Sequence, residues 1–173
     1  MQLAIKQKEQ EIKEAREMKE LSKEYKVPFV INDNIKVALE VDADGVHIGQ
    51  DDMSVEEARK LLGEDKIIGV SAHNVKEALK AQKGGADYLG VGAVCVTSTK
   101  KDANVVSKEE IKKIKEAVDI PIVAIGGIKK DNIDALTGTG IDGVAVVSAI
   151  FGAKDITKDT KELLKTVKKM KQE

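Results

Sequence analysis

The two stretches of sequence that decide the fold are Val30-Ile31-Asn32-Asp33-Asn34 and Gly45-Val46-His47-Ile48-Gly49-Gln50-Asp51-Asp52. Each is an apolar run that stops at a carboxylate, Asp33 in the first stretch and Asp52 in the second. If both runs are buried parallel strands, the two carboxylates follow the carboxyl ends of neighbouring strands, where α/β sheets and barrels bind their ligands. The pattern therefore predicts a functional site at this edge of the sheet.

Asp33 and Asp52 together suit a hard cation that keeps several waters and bridges to phosphate, which is how proteins usually hold Mg²⁺. The alternative is that each carboxylate caps the loop or helix that follows it. Taken singly, each aspartate is better explained as a cap. Taken together with the phosphate-binding signals described below, the pair is better explained as a metal site.

Composition excludes several classes of protein. The chain has 173 residues, of which 42% are hydrophobic and 34% charged, and this indicates one globular domain with its own core. A net charge of −1 and the near absence of aromatic residues predict no nucleic-acid partner and no anionic membrane surface. The single cysteine, Cys95, excludes an internal disulfide. With no signal-peptide core and no membrane-length apolar run, we expect a cytoplasmic protein.

Apolar runs alternate with amphipathic segments roughly every twenty residues, which predicts parallel strands covered by helices. The first helix is expected at 7–26, with Ile12, Ala15, Met18, Leu21 and Tyr25 facing inward. A capping box at Ser54 opens a helix that has Ala58, Leu61 and Leu62 inward and ends at Gly63. A second capping box, at Ser107, opens a helix that has Ile111, Ile114 and Val118 inward. Further helices are expected after Asn74 with Glu77, near 132–137 and at 159–170. Six strands are expected, at 29–31, in the apolar run within 45–52 that stops at a carboxylate, and at 67–70, 88–94, 121–125 and 143–147.

Glycines at the strand ends favour a closed barrel over an open doubly wound sheet. They are Gly92, Gly126-Gly127 and Gly143. A Gly-x-Gly-x-x-Gly motif does not open a helix after the first strand, so the dinucleotide-binding fingerprint is missing.

Two segments predict phosphate binding. About twelve residues separate Val94 from Ser107, against roughly two to six in most such loops, and they include Thr97-Ser98-Thr99-Lys100-Lys101-Asp102. Hydroxyls and lysines bind phosphoryl oxygens, so this loop is interpreted as a lid over phosphate, with a disordered surface loop as the alternative. The second segment is Gly126-Gly127 together with the last strand ending at Ser148, a pattern typical of phosphate-binding barrels.

Nucleophiles and bases are scarce. His47 and His73 are not spaced as metal ligands, Cys95 is better explained as a small apolar filler, and no predicted strand contains a lysine for Schiff-base chemistry. The polar residues therefore suit diphosphate and magnesium, and predict a group transfer in which the leaving group does most of the chemistry.

The motifs Val-Ile-Asn-Asp, Asp-Gly-Val-His-Ile-Gly-Gln-Asp-Asp, Gly-Val-Ser-Ala-His, Thr-Ser-Thr-Lys-Lys-Asp and Ile-Gly-Gly-Ile occur in this order. On these motifs the chain resembles the thiamine phosphate synthase family over nearly its whole length. The resemblance implies a (β/α)8 TIM-type barrel over residues 1–173. It also implies a reaction that joins 4-amino-2-methyl-5-hydroxymethylpyrimidine diphosphate to a thiazole phosphate and releases diphosphate.

Carried over position by position, the resemblance also implies roles for individual residues. Asp33 and Asp52 would be the Mg²⁺ ligands. Contacts to the pyrimidine diphosphate would come from Asn32, Ser71 and Lys100, with Ser71 and Lys100 acting in catalysis and Gln2 and Lys6 binding diphosphate. The thiazole phosphate would be held by Thr97, Thr99, Gly127, Val147 and Ser148.

The chain departs from the family pattern at two places. The family's first strand and most of its second are absent, leaving six strands of eight, and Gln2-Leu3-Ala4-Ile5-Lys6 has alanine where the family has arginine. Ala93-Val94-Cys95-Val96 replaces prolines before and within the long loop.

The alternatives to a synthase are a silent or weakly active phosphate-binding remnant and a thiazole tautomerase-like paralogue. Exposed edge strands would favour self-association.

Overall fold

The computed structural model describes residues 2–95 and 105–170, with the backbone alone for residues 2–8. Helices and strands alternate along these ranges. The helices are α1 (Gln2–Glu24), α2 (Ile35–Glu40), α3 (Val55–Leu62), α4 (Val75–Lys83), α5 (Lys108–Ala117), α6 (Ser148–Phe151) and α7 (Ile156–Met170), with a 3-10 helix at Ile133–Leu136. The strands are β1 (Val30–Asn32), β2 (Gly45–Ile48), β3 (Ile67–Ala72), β4 (Tyr88–Val91), β5 (Ile122–Ile125) and β6 (Gly143–Ala145). The prediction of six strands alternating with helices is confirmed.

The chain divides into two compact units, and the first comprises Met1–Val70 and Gly84–Asp87. Its strands lie in the order β1-β2-β3, all parallel. Asn32 is opposite His47 at the carboxyl end of the β1–β2 pair. Val46, Ile48 and Ile68 are fully buried, as expected of apolar runs in a parallel sheet.

The second unit comprises Ser71–Lys83 and Tyr88–Glu173, with parallel strands in the order β4-β5-β6. Its core includes Ile111 and Ile114 of α5, which are buried as their helical spacing predicts. β6 is less buried than β5, since Gly143, Val144 and Ala145 all remain partly exposed. The expectation of a single domain stays a prediction.

An aspartate placed just before β2, β4 and β6 fixes the start of the preceding strand in each case. The backbone amide of each aspartate donates to the carbonyl of one residue in that strand or just before it. The carboxylate of the aspartate accepts in return from the backbone amide of this residue, at 2.7 to 2.9 Å. The pairs are Phe29 with Asp44, Ile68 with Asp87, and Ile122 with Asp142. These paired bonds satisfy strand-end groups that would otherwise be unpaired.

The predicted helix boundaries are mostly confirmed. Ser54 and Glu57 form the reciprocal capping box, and Gly63 ends α3. Asn74 accepts from the Glu77 amide at 3.0 Å at the start of α4. At α5 only half of the predicted box forms, because Ser107 accepts from the Glu110 amide while the Glu110 carboxylate accepts from the Val75 amide at 3.2 Å.

The elements differ from the sequence-based expectations at four places. The helix expected at 7–26 begins earlier, because α1 already starts at Gln2. Met18, Leu21 and Tyr25 are about half or more exposed, whereas Ala15 is buried as predicted. Leu61 is exposed rather than inward. The short helix α2 has no counterpart among the predicted elements.

Lys19 takes the buried position on α1 in place of the exposed apolar residues. Its ammonium donates to the carbonyl of Val41 at 3.1 Å and to the backbone carbonyl and carboxylate of Asp42. These acceptors lie just after the carboxyl end of α2 and bind the buried ammonium group, so Lys19 faces the protein while Met18, Leu21 and Tyr25 of α1 face solvent.

Candidate functional site

Asp33 follows β1 in a left-handed backbone conformation with a φ of 61°. Its amide donates to the carbonyl of His47 on β2 at 2.8 Å, and the Asn34 amide donates to the Asn32 carbonyl at 2.8 Å. Positive φ is uncommon for residues other than glycine, although aspartate tolerates it better than most. The chain therefore turns sharply at the end of β1, with the exposed Asp33 side chain at the turn.

Neither Asp33 nor Asp52 caps a helix. The cap of α2 is Asn34, whose side-chain oxygen accepts from the Val37 amide at 3.2 Å and whose amide group donates to Glu11 of α1 at 3.1 Å. The cap of α3 is Ser54. Helix capping therefore does not account for either carboxylate, whereas capping of the loop does apply to Asp52, which accepts from the Gly49 amide in the turn after β2.

Each of the two carboxylates is oriented by a close neighbour. The Asn32 amide group donates to Asp33 Oδ2 at 2.6 Å, and the Gly49 backbone amide donates to Asp52 Oδ2 at 2.7 Å. Asn32, Asp33 and Asp52 are all exposed. The first unit thus places two oriented carboxylates after the carboxyl ends of the adjacent strands β1 and β2.

This donor set fits Mg²⁺ only in its partly hydrated form. No group of three or more His, Cys, Asp or Glu side chains that could hold a metal occurs within residues 2–95 and 105–170 as far as their side chains are described. Two carboxylates leave most of an octahedral shell to water and to substrate phosphate, which is a common arrangement for Mg²⁺. The residues present fit that ion, and Asp33 and Asp52 are those that would hold it.

Ser71 lies near the end of β3, half-buried, in the second unit. The nearby His73 is exposed, and its Nδ1 lies 2.8 Å from Glu77 Oε2. Burial raises the pKa of Glu77, but hydrogen bonds from His73 and Asn74 outweigh that effect and leave the pKa below its usual value. His73 therefore supports the start of α4.

Gly126 and Gly127 form a tight turn directly after β5, with φ values of 97° and 69°. A Cβ on Gly126 would lie 2.7 Å from both the Cα and the Cβ of Ala93, so this position requires glycine for space as well as for conformation. The carbonyl of Gly126 accepts from the Cys95 amide at 3.0 Å, and the carbonyl of Gly127 accepts from the Asn132 side chain at 2.9 Å. This pair is called the glycine turn below.

Val147 and Ser148 follow β6, where Ser148 begins the four-residue helix α6. Both are exposed, and Val147 is 64% accessible. The Val147 carbonyl accepts from the amides of Ile150 and Phe151 at 3.1 and 2.9 Å. A short helix thus does follow the last strand, as the phosphate-binding pattern predicts.

Cys95 is half-buried and unpaired by any disulfide. Burial raises the pKa of its thiol, and the negative charge of Asp131 raises it further. A thiol with a raised pKa is protonated near neutral pH and is a poor nucleophile. This agrees with its interpretation as a small filler residue.

Five predicted site residues cannot be placed. Thr97, Thr99 and Lys100 lie outside the described residues, and the side chains of Gln2 and Lys6 lie outside them as well. Asn132 is the residue that the sequence patterns did not indicate. Its only signal was a position at the start of a short helix after the glycine turn.

Two grooves in the first unit lie away from the predicted site residues. One, of about 350 Å³, is lined mostly by α1 together with Glu40. The other, of about 510 Å³, lies beside Pro28, Asp44 and Lys66, close to the amino ends of β1 to β3. Neither groove contains Asp33 or Asp52 among its lining residues.

Parallel strands that alternate with helices, and polar groups placed after their carboxyl ends, define an α/β protein of the barrel class. Residues 1–150 match the family model described as thiamine monophosphate synthase, and the chain belongs to this family. It is 55% identical to the thiamine-phosphate synthase of Methanobrevibacter smithii over 154 residues, which are 89% of this chain and 74% of the relative. The corresponding protein of Clostridium acetobutylicum is 52% identical over 155 residues, 90% of this chain and 74% of the relative.

Solved structures agree with this assignment. Thiamine phosphate pyrophosphorylase from Pyrococcus furiosus superposes with a TM-score of 0.84 at 46% identity, covering 92% of this chain and 76% of that one. A structure described as native KDPGal superposes with a TM-score of 0.70 at 15% identity, covering 91% of this chain and 76% of that one, and indicates the fold alone. No helix within the described part of the chain is long and apolar enough to cross a membrane.

Proposed function

We propose that this chain is a transferase of thiamine biosynthesis that joins 4-amino-2-methyl-5-hydroxymethylpyrimidine diphosphate to a thiazole phosphate. The products are thiamine phosphate and diphosphate. The observation that carries the proposal is the pair of exposed carboxylates, Asp33 and Asp52, each oriented by a hydrogen bond and neither used as a helix cap. Membership of the family and the identity of more than 50% to named synthases support it.

Asp33 and Asp52 hold Mg²⁺ in this proposal, and Asn32 fixes the orientation of Asp33. When bound, the ion supplies positive charge to the diphosphate. The two carboxylates supply at most two of the ligands in the coordination shell of the ion, so the affinity for the metal depends on the diphosphate oxygens. Metal and diphosphate therefore bind as a unit.

The reaction breaks the bond between the pyrimidine methylene carbon and a diphosphate oxygen, and the bonding electron pair leaves with the diphosphate. The lone pair of the thiazole nitrogen then forms the new carbon–nitrogen bond. That nitrogen carries no proton to remove, so no protein base is required. Lys100 donates hydrogen bonds to the departing diphosphate, and Ser71 binds the pyrimidine substrate.

The thiazole phosphate is bound by groups of the second unit. The amides of the glycine turn and the hydroxyl of Ser148 donate to phosphate oxygens, Val147 lies against the ligand, and Thr97 and Thr99 add hydroxyls from the long loop. The left-handed conformation of Gly127 supports this role, because it lets the backbone approach a ligand closely.

A weakly active chain is the second candidate, and one observation favours it. Gln2 and Lys6 belong to α1 rather than to a strand end, and Ala4 stands where the family has arginine. Each charged donor to a developing negative charge contributes a few kcal/mol, so losing one slows the step by about a hundredfold or more. A tautomerase-like paralogue is disfavoured, because retaining both Asp33 and Asp52 has no purpose without diphosphate.

The protein is proposed to act in the cytoplasm on small phosphorylated substrates and to self-associate through its edge strands.

The test of function is to incubate the chain with both substrates and Mg²⁺ and to identify the products by mass spectrometry. Thiamine phosphate and diphosphate in equal amounts support the proposal. A folded chain that binds both substrates without forming product contradicts it. Ala4→Arg measures how much the family's arginine contributes, and equal rates would exclude the weakly active alternative.

A further inference from the structure

We propose that Asn132 is a positioning residue that holds the glycine turn in its phosphate-binding form. The inference rests on the proposed function, in which this turn binds the thiazole phosphate. Asn132 does not need to contact the ligand itself. It acts through the backbone of Gly127.

Both ends of the Asn132 side-chain amide are engaged. Its Nδ2 donates to the Gly127 carbonyl at 2.9 Å, and its Oδ1 accepts from the Lys129 amide at 2.8 Å. One partner is an acceptor and the other a donor, so the orientation of the amide group is fixed. The side chain is half-buried, and it ties the turn to the residues that follow it.

The carbonyls of both peptides in the turn are therefore held, that of Gly126 by the Cys95 amide and that of Gly127 by Asn132. Both peptides are trans, and in a planar trans peptide the N–H group points opposite to the carbonyl. The amides of Gly127 and Ile128 must then point away from Cys95 and Asn132. Neither amide donates a hydrogen bond to another described residue. Gly127 is partly exposed whereas Ile128 is buried, so the Gly127 amide is the one that can meet a phosphate oxygen.

Two consecutive glycines cannot maintain this arrangement by themselves, because glycine populates many backbone conformations and loses the most entropy on ordering. The Asn132 bond removes one of these freedoms, the rotation of the Gly127–Ile128 peptide. Without it, binding phosphate must first order the turn. Affinity for the thiazole phosphate should then fall while binding of the other substrate is preserved.

The experiment compares Asn132→Ala with Gln82→Ala. Gln82 is also a half-buried amide side chain of the second unit, and it accepts from the backbone amides of Asp119 and Ile120 at 2.7 and 3.3 Å before β5. Calorimetry with the thiazole phosphate alone gives the dissociation constant without turnover. Steady-state kinetics then give KM for each substrate and kcat.

We expect Asn132→Ala to weaken thiazole phosphate binding, and to raise its KM, about tenfold, the effect of losing one buried hydrogen bond. KM for the pyrimidine diphosphate should remain as in the native chain, and Gln82→Ala should match the native chain in both constants. Equal affinity of the native chain and Asn132→Ala overturns the inference, as does an equal rise in both KM values. The native chain could also bind thiazole phosphate tenfold more tightly than Asn132→Ala and yet form no product. That result would support the inference and contradict the proposed reaction.

If Asn132→Ala does not fold, Asn132→Asp takes its place, because it retains the acceptor for the Lys129 amide and loses the donor to Gly127. Its new charge also repels phosphate, and salt screens that repulsion but not a lost hydrogen bond. Weak binding that persists at high salt supports the positioning role. Binding restored to the native value by salt overturns it.

Discussion

The carboxylate of Asp52 accepts a hydrogen bond from the backbone amide of Gly49 at 2.7 Å, which closes the turn that follows β2. The bond engages only Oδ2, so it orients the side chain while the carboxylate stays exposed. A Cβ at position 49 would lie 3.0 Å from that same oxygen, tighter than ordinary contact. A small residue at position 49 and an acceptor at position 52 together define the position of this carboxylate.

Asp52→Asn should abolish the binding of Mg²⁺ that depends on diphosphate. Asparagine retains an acceptor for the Gly49 amide, so the turn is preserved while the charge is lost. Calorimetry of Mg²⁺ with and without diphosphate measures the effect, and the native chain should bind the metal weakly until diphosphate is present.

The matched control for the metal-binding prediction is Asp51→Asn, which removes a neighbouring exposed carboxylate with no assigned role. It should bind as the native chain does. Tight binding of Mg²⁺ to the native chain without diphosphate, or unchanged binding to Asp52→Asn, would be incompatible with the site as described.

Asp87→Ala should lower the free energy of unfolding by about 1–3 kcal/mol, the cost of leaving buried or partly buried polar groups unpaired. The Asp87 carboxylate accepts from the Ile68 amide and from Arg59 Nη2, both at 2.7 Å. Chemical denaturation measures the change. Asp87→Asn, which can still accept from Ile68, should lose less, and equal losses in the two variants would show that the strand-start bond contributes little.

The contribution of Asp42 to stability should disappear in acid. Hydrogen bonds from Lys66 and Lys19 and their positive charges lower the pKa of Asp42 to about 2. Because this folded-state pKa lies below the usual value, the contribution is present above about pH 4 and is lost as pH falls through about 2.

The difference in Tm between the native chain and Asp42→Asn tests the acid prediction across this range. The difference should stay constant above about pH 5 and narrow as the pH approaches about 2. The exposed Asp65→Asn serves as the control variant for general effects of acid. A difference that is independent of pH would rule out this role for the Asp42 charge.

Self-association should occur through the strand edges. Among the described strands, β1 pairs only with β2, and β6 pairs only with β5. Apolar side chains are exposed after β6, with Val147 64% and Phe151 75% accessible. Unpaired strand edges and exposed apolar residues both favour pairing with another chain.

Light scattering of the native chain should show a species larger than a monomer, and Phe151→Glu should reduce it. Leu79→Glu, at another exposed apolar position, on α4, should leave the association unchanged. A clean monomer with slow amide exchange on both β1 and β6 would contradict the prediction.

Local sequence patterns predicted the elements that depend on neighbouring residues. The Ser54 and Glu57 box, the Asn74 cap and the inward face of α5 all follow from spacings of three or four residues, and all are confirmed. Carboxylates that follow apolar runs were likewise visible as strand ends.

Features that depend on distant contacts could not be predicted in the same way. Lys19 is buried because carbonyls at Val41 and Asp42 accept its ammonium group, and no spacing within α1 reveals those partners. The contact of Asn132 with the glycine turn depends on the path of the chain through residues 128–131. The Glu110 carboxylate was expected to complete a local box, but a distant amide on α4 competes for it.

The proposed reaction is tested by the initial rate of thiamine phosphate formation from both substrates with Mg²⁺, measured for the native chain, Asp51→Asn and Asp52→Asn. The native chain should form product, Asp51→Asn should react at the same rate, and Asp52→Asn should react at least about a hundredfold more slowly, because charge on the departing diphosphate is then poorly stabilised. A folded native chain that forms no product, or an Asp52→Asn variant that is as fast as the native chain, would contradict the proposed function.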